Sequence, residues 1–176
     1  MKQNIFLGIL ALFSLVMIII ISGCTQRIEI PTEPTSQFDI YYSFGVGEKN
    51  ILDTENDIYV KDMVCDSSKE YSVQLTEAEK TEIYNSISEN YLFAIKKDFT
   101  KNCNEKGICQ SVEPLLSATL NIAANGKIKI IKWSANYIDN DDPELKRFQN
   151  VLKIIQDIIS QKEKEMIIEQ PTCGYL

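Results

Sequence analysis

The chain contains no histidine. That removes imidazole acid–base chemistry, every Ser-His or Cys-His nucleophile and the commonest nitrogen ligand of zinc. No two cysteines stand as Cys-x-x-Cys, so a zinc site has no ligand framework either. The Gly-x-Ser-x-Gly, P-loop and His-Glu-x-x-His motifs are also missing. Positive charge is in short supply, with 18 Lys and Arg against 25 Asp and Glu for a formal net charge of −7. An acidic surface excludes nucleic acid as a partner and gives no purchase on anionic lipid, since both need Lys/Arg patches. What is present is ordinary globular material, 44% hydrophobic and 24% charged, in a length suited to one domain with a real core.

The distribution of that apolar material is uneven. Met1-Lys2-Gln3-Asn4 precedes an apolar run from Ile5 to Ile21, and Ser22-Gly23-Cys24 closes it. This is the basic, greasy, small-residue layout of a secretory signal. The ending Ile21-Ser22-Gly23-Cys24 resembles the lipobox of prokaryotic lipoproteins, in which the cysteine thiol receives a diacylglycerol and the signal is cut just before it. The resemblance implies a signal peptide over 1–23 and a lipid on Cys24. It places the protein at the cell membrane, on the extracytoplasmic face. An uncleaved membrane helix is the competing reading. The run is only about 17 residues, the short edge of a span, and Arg27 is the only basic residue between Cys24 and Lys49 to act as a stop-transfer flank. Residues 24–37, with Pro31 and Pro34, read as a tether reaching roughly 40 Å when extended, and 38–176 as a single domain.

Beyond Cys24 the chain has Cys65, Cys103, Cys109 and Cys173, an even set in a chain bound for an oxidising compartment. Three pairings are open. Cys103–Cys109 with Cys65–Cys173 is preferred, because the first closes a polar loop around Gly107 and the second pins a tail of weak periodicity. Cys65–Cys103 with Cys109–Cys173 stays open.

Periodicity predicts an α+β domain of two layers: an antiparallel sheet of about six strands with two helices on one face, in the order β-β-β-β-α-β-β-α. Phe38, Ile40, Tyr42 and Phe44 alternate with Asp39, Tyr41 and Ser43 as the first strand, and Gly45-Val46-Gly47 turns the chain. A second strand starts at Ile51-Leu52, a third runs Ile58 to Val64, and Tyr71, Val73 and Leu75 mark a fourth. Asp53-Thr54-Glu55-Asn56-Asp57 resembles the opening of a calcium loop but lacks its glycine and its closing glutamate, so no metal is assigned. Thr76-Glu77-Ala78-Glu79 is a capping box for a helix burying Ile83, Ile87 and Tyr91. Asn125-Gly126 is a type I′ hairpin turn that pairs Ala118 with Trp133, Leu120 with Ile131 and Ile122 with Lys129. The face bearing Leu116, Ala118, Leu120, Ile131 and Trp133 is then core. Asp142 caps a last helix with Pro143 at its first position, and Leu145, Phe148, Leu152, Ile155 and Ile159 form its apolar stripe. That repeat dissolves at Lys162-Glu163-Lys164-Glu165.

The string Gly45-Val46-Gly47-Glu48-Lys49-Asn50, with Lys61-Asp62-Met63-Val64, Leu75-Thr76, the Gly126-Lys127 to Lys132-Trp133 hairpin and Gly174-Tyr175, is similar to a family of small uncharacterised prokaryotic lipoproteins. The resemblance implies the anchor and the architecture and carries over no catalytic residue. The reading of function is a non-enzymatic, lipid-anchored envelope domain that binds a protein or small ligand without a cofactor. The alternative is an envelope hydrolase using paired carboxylates, which leave no sequence signature. Lys96, Lys97, Lys101 and Lys106 form the one locally basic stretch and a candidate contact for an anionic partner.

Overall fold

The computed structural model describes residues 37–175 apart from 102, 105 and 110. Strands β1 (Asp39–Val46), β2 (Asn50–Asp53), β3 (Ile58–Lys61) and β4 (Lys69–Ser72) form an antiparallel meander. Helix α1 (Glu77–Glu89) follows, then the hairpin β5 (Leu116–Ala124) and β6 (Lys127–Ser134), then helix α2 (Pro143–Glu165). The sheet order is β4-β3-β2-β1-β5-β6, antiparallel throughout, so β1 joins the meander to the hairpin. The two-layer α+β arrangement expected from the sequence is the one observed.

Local chemistry sets each element. The β1–β2 turn uses positive φ at Gly47 and Glu48, and Asn50 closes against the Phe44 carbonyl where any side chain at Gly45 would collide with it. The β5–β6 register is the one Asn125-Gly126 dictates, with Ala118 opposite Trp133, Leu120 opposite Ile131 and Ile122 opposite Lys129. At the start of α1, Thr76 accepts from the Glu79 amide while the Glu79 carboxylate accepts from the Thr76 amide, a complete capping box.

One face of the sheet carries the core. Ile40, Tyr42, Leu52, Tyr59, Ala118, Leu120, Ile122 and Ile131 point the same way and are all buried. Both helices lie on that face. Tyr84 of α1 meets Phe38 edge-on, Gln156 of α2 donates to the Tyr42 hydroxyl at 3.0 Å, and Tyr59 donates to Glu163 at 2.5 Å. α2 covers the sheet with Leu145, Phe148, Val151, Leu152, Ile155, Ile158 and Ile159.

Several boundaries differ from the sequence expectation. The third strand ends at Lys61 instead of Val64, because Asp62 turns inward and Val64 takes a left-handed φ of 61°. The fourth ends at Ser72; Val73 and Leu75 are buried in the connection beyond it. Tyr91 is exposed just past the end of α1, where a left-handed φ of 52° takes it off the helical period; the buried residues of α1 are Ile83, Tyr84 and Ile87. Leu116, the first residue of β5, is also exposed and not part of the core. The run Lys162–Glu165 continues α2 and is where the helix is fastened: Lys162 pairs with Glu79, and Glu163 with Lys61.

The disulfides are Cys65–Cys173 and Cys103–Cys109. The first ties the chain after α2 to the loop after β3, where the Tyr175 hydroxyl donates to Asp62 and Lys49 donates to Tyr175. Replacing Cys65 and Cys173 together by alanine should lower stability by up to about 4.8 kcal/mol and expose the amides of residues 168–175 to hydrogen exchange, while β5 and β6 stay protected. Unchanged exchange in that tail would show that the side-chain contacts hold it unaided.

Candidate functional site

In an antiparallel sheet, residues directly opposite share a face and successive residues alternate between faces. The face away from the helices therefore carries Ile58 and Val60 of β3, Ile51 and Asp53 of β2, Asp39, Tyr41 and Ser43 of β1, Thr119, Asn121 and Ala123 of β5, and Ile128 and Ile130 of β6. Tyr41 is 38% exposed, Ile130 50% and Ile128 78%, whereas their neighbours on the helix face are nearly all buried. Among the described residues no helix packs on this outer face. Tyr41, Ile128 and Ile130 stand exposed and Ile51, Ile58 and Val60 are half-buried beside them, and an apolar patch of this kind is a candidate interaction surface.

The patch has relief at one end. Tyr41, Asp53, Asn121, Ala123, Ile128 and Ile130 line a depression of about 250 Å³. The Asn121 side-chain oxygen is shielded from solvent and, among the described residues, has no hydrogen-bond partner, so the lining of the depression includes a polar group. Asp53 at its margin turns its carboxylate to the Glu55 and Asn56 amides, capping its own turn. The calcium-loop pattern is accounted for by that turn. Among the described residues no group of three acids, cysteines or histidines is placed to hold a metal ion. A second, wider hollow along α1 is lined by Glu77, Glu82, Glu89 and Ile154 and lies open to solvent.

The buried carboxylates are elsewhere, and each is surrounded by donors. Asp142 caps α2 and accepts from the Glu144 amide at 2.9 Å, the Tyr137 hydroxyl at 2.8 Å and the Lys97 ammonium at 2.5 Å. Burial pushes its pKa up, but Lys97, Tyr137 and the amide outweigh burial and hold it at about 2. Burial likewise opposes ionisation of Glu163, where Lys61 and Tyr59 prevail, and of Asp62, where the Tyr175 hydroxyl and the Val64 amide prevail. Their tyrosine partners shift the other way. Burial, then Glu163, raises Tyr59, and burial, then Asp142, raises Tyr137. A carboxyl that protonates a leaving group needs the opposite, a raised pKa. Each of these knots joins a helix end or the tail to the body of the domain.

Of the residues singled out in the sequence, Cys24 and the tether up to residue 36 lie outside the described residues. Cys65, Cys103, Cys109 and Cys173 are all disulfide-bonded. Trp133 packs against the core. The basic stretch is brought beside the sheet edge by a bridge from Phe99 to Trp133. The outer face is the site that sequence reading passed over. Its signal was there in Ile128 and Ile130, which lie on the opposite face from the core residue Ile131. No protein-family model, curated protein or solved structure matches the chain.

The Asp142 knot makes a prediction with a defined sign. A folded pKa near 2, below the ordinary value of about 3.9, gives stability that is fully present above pH ~4 and lost as pH falls toward 2. Asp142→Ala should cost about 1–2 kcal/mol at pH 7 by removing the cap, and the gap from wild type should shrink steadily below pH 4. Urea unfolding at pH 7 and pH 2.5 measures it; a gap that is the same at both would assign the loss to packing.

Proposed function

We propose that the protein is a lipid-anchored component of the cell envelope whose domain binds another protein through the outer face of the sheet, without catalysing a reaction. The observation that carries the binding reading is the uncovered apolar patch around Tyr41, Ile58, Ile128 and Ile130. Its breadth and shallowness favour a protein over a small molecule, since the depression of about 250 Å³ falls below the ordinary ligand-pocket range of roughly 300–1,000 Å³. Depressed rather than raised carboxylate pKa values support a role without acid catalysis. The hydrolase reading would need a convergent acid pair with one member raised.

The anchor rests on the Ile21-Ser22-Gly23-Cys24 sequence and the apolar run before it. Two acyl chains on Cys24 hold a protein at a bilayer where one chain gives marginal binding. No helix among the described residues is long and apolar enough to cross a membrane.

Two measurements test the two halves separately. Cys24→Ser should leave an unprocessed precursor with the mass of the full chain; a mutant of wild-type mature mass and detergent partitioning would remove the anchor. Photo-crosslinkable residues placed at Tyr41 and Ile58 in intact cells should capture a discrete protein adduct that a probe at Lys153, on the solvent side of α2, does not. Adducts from Lys153 alone would move the binding surface to the helices.

A further inference from the structure

We propose that the free edge of β6 is a strand-addition site that takes an extended acidic segment of the partner polypeptide; this rests on the binding reading above and narrows it to a place and a chemistry. β6 is the outermost strand of the sheet. The Lys132 carbonyl accepts from the Phe99 amide at 2.7 Å and the Ser134 amide donates to the Phe99 carbonyl at 3.0 Å, so the backbone groups of these two residues point away from β5. Two-residue alternation aims the amides and carbonyls of Ile128 and Ile130 the same way. Phe99 closes the upper part of the edge, and among the described residues no backbone group closes it at Ile128 or Ile130. An edge with open amides and exposed aliphatic side chains is a template for another strand.

The side chains beside the edge define what that strand should carry. On the outer face its alternate residues would lie against Ile128 and Ile130, beside the depression that these two residues and Asn121, directly opposite Ile130, help to line. β6 itself carries Lys127 and Lys132, neither of which makes an ion pair among the described residues; the Asp98 carboxylate beside the closed part of the edge accepts from the Lys132 amide at 3.1 Å. On a chain of net charge −7, an edge strand that carries Lys127, Lys129 and Lys132 and no acidic residue of its own is a local exception. These lysines disfavour a second copy, because β6 laid on β6 would bring Lys127, Lys129 and Lys132 of both chains together. The same charges attract a segment bearing glutamate or aspartate between apolar residues.

The test uses the full mature chain, disulfides intact, and two capped seven-residue peptides of alternating sequence, one glutamate–valine and one lysine–valine. The glutamate peptide should shift and protect the amides of Ile128 and Ile130, and the lysine peptide should not bind. Ile130→Pro, which removes one outward amide, should weaken binding at least about tenfold, equivalent to one lost net hydrogen bond to the edge. Lys127→Glu with Lys132→Glu leaves the backbone intact and should reverse the peptide preference, so the proposal stays open to test where the proline variant does not fold. Equal binding of both peptides, binding of neither at millimolar concentration, or dimerisation through β6 would overturn it. Shifts confined to Tyr41 and Ile58 would also overturn it, while leaving the outer face as the binding surface.

Discussion

Everything in this domain depends on the pairing of β1 with β5. Each half of the sheet is built from neighbours in sequence: a meander from β4 to β1 and a hairpin of β5 and β6. Only the β1–β5 ladder, eight residues from Asp39 opposite Ala123 to Val46 opposite Leu116, joins them. It closes a loop of more than sixty residues, and such closure costs entropy before any contact offsets it. The offset is the surface that the joined sheet presents. Tyr42, flanked by Leu52 and Leu120, becomes the floor on which α2 settles, and burial pushes its hydroxyl pKa to about 12. Without the ladder neither helix has a wide enough apolar face to cover.

The fastenings at the periphery follow from that arrangement. α2 runs from Pro143 to Glu165, and its end is held by Lys162 on Glu79 and by Glu163 on Lys61 and Tyr59. Its start is held by Asp142 between Tyr137 and Lys97. The tail is held by Cys173 and by Tyr175 on Asp62. These contacts are mostly shielded from water, where charge-assisted hydrogen bonds are stronger than on an open surface. They all serve the helix face and the chain ends. The outer face of the sheet takes part in none of them: one face of the sheet carries the core and the contacts that fasten it, and the other carries neither.

Much of this was legible in the sequence, for a common reason. The Asn125-Gly126 turn fixes its hairpin register, Thr76 and Glu79 their capping box, and Asp142 with Pro143 the start of α2, because each depends on residues within a few positions of one another. Strand ends were less legible. Val64 belongs to the alternating pattern of β3, yet the inward turn of Asp62 toward Tyr175 takes it out of the sheet. Tyr91 fits the α1 period, but the helix ends before it and its left-handed backbone leaves it exposed.

The sequence by itself determined the number, type and order of the elements, the cap at each helix start and which residues of each strand share a face. Those properties are local, set by backbone preferences and by side-chain periods of 2 and 3.6 residues. It favoured Cys103–Cys109 with Cys65–Cys173 without excluding Cys65–Cys103 with Cys109–Cys173; the approach of the tail to the loop after β3 decided for the favoured pairing. It also left open which strand joins the two halves of the sheet and which sheet face goes uncovered. Alternation offers two faces to every strand, and Ile51, Ile58 and Ile130 are as apolar as the residues beneath the helices. Only the assembled sheet, with both helices of the described residues on one side, turned those residues to the other.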